Sequence, residues 1–250
     1  MATSPIIERE KLMTTQPNHR LSPSIKTFCL SLACAALTAC GGGGGGGGSS
    51  TGSGGGSDSS YGVRVLHASV DAAPVDVISS SGSSALVSQQ FFAGDKGYRS
   101  LPEGSQVLSL TRTLNPADVL ASFSVDAGSA SRYSILFYGD LQNLGLRTRL
   151  IEDEGPEDIS GAAIRVVNGV AGAATLQVSI TSADSQLVGF GQNSEYITTS
   201  AGELHIAAKR AADSSPAGSL VVNAQTGRAY TVLFAGEAGF YTKAVLFTDR

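Results

Sequence analysis

An all-β fold in two tandem copies is predicted by three observations on this 250-residue chain. Residues 61–250 contain an internal duplication. The same region breaks into short apolar runs at roughly the 8–12-residue spacing of a β-sandwich, separated by Gly, Pro and Asn/Asp turn signals. No stretch of it sustains a long amphipathic helical period.

The duplication is read from four colinear matches. Val63-Arg64-Val65-Leu66-His67 aligns with Ile164-Arg165-Val166-Val167-Asn168. Tyr98, Leu108, Leu110 and Arg112 align with Tyr196, Ile206, Ala208 and Arg210, and Val125-Asp126-Ala127 with Val222-Asn223-Ala224. Tyr133-Ser134-Ile135-Leu136-Phe137-Tyr138-Gly139-Asp140 aligns with Tyr230-Thr231-Val232-Leu233-Phe234-Ala235-Gly236-Glu237. A period near 100 residues means tandem domains, because solenoid repeats run about 20–50 residues.

In chain order the first copy is expected to hold strands near 63–67, 74–78, 85–92, 105–112, 119–125, 132–138 and 144–151. The second is expected to hold them near 164–168, 174–181, 186–190, 202–209, 218–223, 228–235 and 241–248. Leu204, Ile206 and Ala208 alternate with Glu203, His205 and Lys209, the two-residue period of a half-buried strand. Gly82, Gly94-Asp95, Pro102-Glu103-Gly104, Asn115-Pro116, Gly128 and Gly227 punctuate the runs. Tyr133 and Tyr230 open equivalent strands after a turn, where a tyrosine either bonds an upstream backbone group through its hydroxyl or simply packs at the edge of the core. Two sheets packed face to face bury one side of each strand, and units of about 90 residues are large enough for a core without disulfides. The expected boundaries are a first sandwich at 61–152, an acidic linker at 153–161 and a second sandwich at 162–250. Glu152, Asp153, Glu154, Glu157 and Asp158, around Gly155-Pro156, read as a solvated linker face.

The first 60 residues belong to a different class. Thr27 to Ala39 is uncharged and rich in Leu and Ala, yet too short for the ~20 apolar residues of a membrane span. Arg20 and Lys26 precede it and small residues end it, as in a secretory signal. Leu37-Thr38-Ala39-Cys40 resembles the lipobox of bacterial lipoproteins. That resemblance implies a signal peptide over 1–40, lipid on Cys40, and a mature chain beginning there. Gly41 in place of an aspartate implies, by the same resemblance, the outer membrane. A start at Met13 would give a signal without acidic residues. Cys29 and Cys34 would leave with the signal, so the folded part has no cysteine for a disulfide, a thiolate metal site or a nucleophile. Residues 41–60 are almost only Gly and Ser and read as a disordered tether with an end-to-end distance of about 25 Å.

The chain has 17 basic and 21 acidic residues, four and two of which lie in residues 1–40, leaving a formal −6 on the remainder. Without a polybasic run, neither nucleic acid nor electrostatic docking to anionic lipid is expected.

Val63-Arg64-Val65-Leu66-His67-Ala68-Ser69-Val70-Asp71-Ala72-Ala73-Pro74-Val75-Asp76-Val77 resembles the opening signature of the bacterial domain of unknown function 4397, close to V-R-V-x-H-A-S-P-D-A-P-x-V-D-V. The family's proline after the serine is Val70 here. The resemblance implies immunoglobulin-like sandwiches on exported, often anchored proteins, and no established chemistry.

His67, Ser69 and Asp71 are the nearest approach to a catalytic set. On a strand they would sit roughly 6.5–7 Å apart per two-residue step, beyond the ~3 Å that a nucleophile and base require. The second copy has Asn168, Val170 and Gly172 there. Ser69 and Asp71 are therefore expected to bond turn backbone, and His67 to pack at a strand end. Asp71 with Asp76, or the acidic cluster, falls short of the six to eight oxygens calcium takes. No hydrolase elbow, phosphate loop or zinc-protease motif is present in the sequence. The expectation is thus no catalytic, metal or cofactor site. The chain reads as a lipid-anchored, non-enzymatic envelope module binding a protein or glycan through sandwich-end loops. A purely structural envelope lipoprotein is the alternative, and an envelope hydrolase the weakest reading.

Overall fold

The structure, a computed structural model, describes residues 62–128 and 132–250. Cys40, the signal segment and the Gly/Ser tether lie outside the described residues.

Every regular element among the described residues is a strand. The first copy contributes β1 (Gly62–His67), β2 (Val75–Ser79), β3 (Ala85–Gln90), β4 (Gly104–Arg112), β5 (Asn115–Ala127), β6 (Arg132–Asp140) and β7 (Gly145–Glu152). The second contributes β8 (Ala162–Ala171), β9 (Thr175–Ile180), β10 (Gln186–Gly189), β11 (Ile197–Thr199), β12 (Gly202–Arg210), β13 (Pro216–Ala224), β14 (Arg228–Glu237) and β15 (Tyr241–Thr248). Fourteen of these stand where the sequence places them. The addition is β11, three residues that pair with β8; in the first copy the same contact shrinks to an isolated bridge between Val63 and Arg99.

The Asn115-Pro116 turn is displaced. The chain reverses one step earlier, at Thr113-Leu114, because Thr113 is held at both ends: its N–H donates to Pro74 O at 3.0 Å and its hydroxyl to Asp76 Oδ1 at 2.6 Å. Asn115 already pairs with Arg112. Pro116 is tolerated because β5 is the edge of its sheet.

Each copy is a sandwich of two sheets. In the first copy the orders are β3-β2-β4-β5 and β1-β6-β7; in the second, β10-β9-β12-β13 and β11-β8-β14-β15. The architecture is the sandwich expected, with its own strand order. The second and third strands of each copy share a sheet, and the first runs parallel to the next-to-last, β1 with β6 and β8 with β14. Both sandwiches have a separate interior. Val65, Val77, Leu108, Leu110, Ile135 and Phe137 fill the first, and Ile164, Val166, Leu176, Ile206, Val232 and Phe234 the second.

A third core lies between the copies. Leu66, Ala68, Leu136, Tyr138, Ile151, Val167, Leu233, Ala235 and Phe247 pack together from the outer faces of the two parallel-paired sheets. The body is therefore four sheets deep, with the two sandwiches back to back. β1, β6, β8 and β14 are covered on both faces, which is why they read as continuous apolar runs instead of alternating ones. The copies also share a strand direction. Arg64 meets Thr231 and Ala68 O accepts from Gly236 N at 2.9 Å, so β1 and β14 run the same way. Both β6–β7 and β14–β15 hairpin tips consequently lie at one end of the body, and Gly62 and Arg250 at the other.

Candidate functional site

Arginine sits at the third residue of β1 and the fourth of β8, in the middle of buried apolar runs. A guanidinium there is tolerable only if it is paired and hydrogen-bonded. The pairing is reciprocal between the copies. Arg64 Nη2 donates to Asp249 Oδ1 of the second copy at 2.6 Å, and Arg165 Nη2 donates to Asp153 Oδ1 after the first at 2.5 Å. Each aspartate stands just beyond the last strand of its own copy and accepts two more bonds from that copy. Asp153 Oδ2 accepts from Ser134 Oγ (2.6 Å) and the Tyr98 hydroxyl (2.8 Å). Asp249 Oδ2 accepts from Thr231 Oγ1 (2.7 Å) and the Tyr196 hydroxyl (2.8 Å). The guanidinium groups also lie over those tyrosine rings, Arg64 at 4.5 Å from the Tyr98 centroid and Arg165 at 4.8 Å from that of Tyr196.

The charges are set by this arrangement. Burial works against the Arg64 cation, but Asp249, with Tyr98 and Asp153, outweighs it, and Arg64 titrates above the ordinary arginine value. Arg165 behaves alike, burial being overcome chiefly by Asp153. Burial pushes both Tyr98 and Tyr196 above the ordinary phenol value, so each remains a hydrogen-bond donor. The result is a closed lattice of two cations and two anions, each carboxylate oxygen of which accepts at least one hydrogen bond. Its chemistry is cohesion: it fixes the two copies in register.

Asp153 is the correction to the solvated acidic face. Glu152, Glu154, Glu157 and Asp158 are exposed, whereas Asp153 retains 6 % exposure because Arg165, Ser134 and Tyr98 converge on it. The sequence carries a sign of this, an Arg at the same place in both copies and an Asp just after each final strand, although an arginine in a strand usually faces water.

His67, Ser69 and Asp71 do not form a relay. His67 Nε2 is 3.3 Å from Ala73 O, so this nitrogen carries the proton. The ring is edge-on to Phe92 and Phe137, and its Nδ1 has no partner among the described residues. Burial lowers its pKa below the ordinary histidine value, despite the bond to Ala73. Ser69 Oγ donates to Asp71 Oδ1 at 3.0 Å, and Asp71 Oδ2 accepts the Leu141 N–H at 2.9 Å, which ties the loop after β1 to the β6–β7 hairpin. Asp76 is turned away from Asp71, accepting from Gln89 N and Thr113 Oγ1. Among the described residues no three His, Cys, Asp or Glu side chains gather as a metal site would require. Tyr133 donates to Asp126 O at 3.0 Å and the Tyr230 hydroxyl accepts the Gln225 N–H at 3.1 Å, the upstream backbone bonds that are one of the two readings the sequence allows.

A cavity of about 490 Å³ opens on the outer face of the β9–β12–β13 region, lined by Gln177, Ser179, Lys209 and Ser219 beside the bulge at Ala208/Lys209.

Comparison of the sequence with protein families returns one description, Domain of unknown function (DUF4397), over residues 61–179 and again over 162–250. The chain belongs to the DUF4397 family. No curated protein matches the sequence. The two DUF4397 matches overlap across β8 and most of β9, the first two strands of the second copy. The start of the DUF4397 signature in this chain, Val63-Arg64-Val65, thus coincides with the arginine that crosses between copies.

Proposed function

We propose that this DUF4397 protein is a lipid-anchored component of the bacterial cell envelope, held at the outer membrane through Cys40, and that its twin sandwiches bind a partner without catalysing a reaction. The observation that supports it most is the fusion of the copies. Third core and ion lattice make one stiff body in which the β6–β7 and β14–β15 hairpin tips of the two sandwiches lie at the same end, and loops on a rigid scaffold are the usual place for recognition. The lipobox-like sequence at Leu37-Thr38-Ala39-Cys40 supports the anchor.

Metabolic labelling with an alkyne fatty acid tests the anchor. The mature protein takes up label and fractionates with outer membrane, and Cys40→Ser removes the label and releases the protein from the lipid fraction. Label retained in Cys40→Ser, or an unlabelled native protein, contradicts the reading.

A further inference from the structure

The two ends of the body differ in kind. The end at which the chain enters the body, near Gly62, is edged by polar and small loops, among them Ser79–Ser84 and Thr181–Ser185. The opposite end carries six of the ten exposed large apolar side chains among the described residues: Phe91, Leu114, Leu141, Leu144, Phe240 and Tyr241. They come from four separate loops and hairpin tips, and the most prominent, Leu114 and Phe240, are 89 % and 79 % exposed. Leu114 is also held at φ 65°, a left-handed conformation uncommon for a leucine, at the tip of the β4–β5 hairpin. The equivalent hairpin of the second copy is polar, with Asp213, Ser214 and Ser215.

From this polarity we propose that the far end docks on a neutral lipid surface, its apolar tips entering the headgroup region. Several features favour lipid over a folded partner. A protein interface is flush, with a packed core, whereas these side chains protrude in ones and twos from four separate turns, a form suited to a soft apolar phase. Charge at this end is of both signs: Arg112 pairs with Asp118 at 2.7 Å and Arg210 with Asp213, and the exposed Arg147 and Lys243 are matched in number by the exposed Asp71 and Asp95. That pattern offers no basic patch to anionic headgroups. Geometry permits it too. The roughly 20 residues from Cys40 to Gly62 reach up to about 70 Å, against about 33 Å for the ten-residue β8 that spans the body. The tip can therefore meet the bilayer that holds the anchor or one facing it. The proposal deepens the reading of the end loops as the binding element and rests on it.

The chain has no tryptophan, so a single one reports its own surroundings. Residues 41–250 carrying Phe240→Trp, mixed with phosphatidylcholine–phosphatidylethanolamine vesicles, should show a blue shift of emission and sediment with the vesicles. The same chain with Leu187→Trp, exposed on a sheet face, should sediment equally and show no shift. Leu114→Ser combined with Phe240→Ser should weaken sedimentation at least tenfold, with an unchanged circular dichroism spectrum and melting temperature. No sedimentation with neutral vesicles, binding to anionic vesicles alone, or a shift at both probes overturns the proposal. A shift of the Phe240→Trp probe that follows protein concentration without lipid also overturns it, in favour of a second copy as occupant. A chain that fails here, yet is acylated at Cys40 and captures a partner through its end loops, keeps the proposed function and loses only the lipid target.

Discussion

The two copies agree in the packing of their sheets and diverge at their corners and flanks, and each divergence has a cost that can be located. In the second copy Asn168 closes the corner after its first strand with three bonds, donating to Ala173 O and Val188 O and accepting from Val170 N. In the first copy His67 holds the same corner by one bond to Ala73 O and leaves Nδ1 buried without a partner among the described residues. The second copy also closes its flank. There β13 packs on β15, and Gly218, at φ 137°, brings its backbone against Phe234. The first copy leaves β5 as a thirteen-residue edge beginning with Asn115-Pro116. The lesson is that the duplicated unit is specified by the surface it turns toward its sibling, and the first copy is the looser of the two.

The largest expected effect breaks that shared surface. Arg64→Ala leaves Asp249 buried without its cation, and loss of one partner of a buried pair costs about 3–5 kcal/mol. Urea unfolding should show that loss in one transition covering both copies. Two separate transitions, with the second copy unaffected, would show the copies to be independent and sink the fused-body account.

A smaller effect comes from steric contact across the same surface. A Cβ on Gly169 would lie 2.3 Å from the Ala68 Cβ of the other copy, so Gly169→Ala should destabilise by about 1–3 kcal/mol. Adding Ala68→Gly should recover part of it, because the two changes share one contact. Purely additive losses would mean the backbones do not approach as described.

The smallest sharpens the His67/Asn168 contrast. The folded state holds His67 neutral, with a pKa below that of the unfolded chain. Between those two values the unfolded state binds the extra proton, so stability rises with pH there. The contribution is complete above the unfolded value of about 6.5 and is lost as pH falls through the folded one. His67→Asn, copying the second copy, should flatten the dependence of the urea midpoint on pH over this range. An unchanged slope would assign it to other groups.

Much of this body is legible in the chain. The duplication, the sandwich class and fourteen strand positions follow from periodicity and turn residues, whereas the tyrosine bonds to upstream backbone are one of two readings that position allows and the structure decides between them. Less visible is that the copies stand back to back. The cue is present in Tyr133 to Asp140 and in its partner run, which are apolar without alternation, as strands covered on both faces must be. Asp153 escapes a local reading because four exposed carboxylates surround it, and only three-dimensional convergence distinguishes it from them. Strand spacing misplaces Ser69 and Asp71: β1 ends at His67, and in the turn beyond it the two side chains bond at 3.0 Å; the further bond from Asp71 to Leu141 crosses 70 residues and no local rule reaches it.

The bond from Arg64 to Asp249 spans 185 positions and joins the first strand of the body to the residue that follows its last. During synthesis the leading strand therefore waits with an unneutralised cation until the final hairpin has emerged. A product cut short before Asp249 forfeits that anion and leaves the cation stranded inside. The lattice thus works as a check on completeness, since a prematurely terminated chain cannot close its own interior and stays open to proteases.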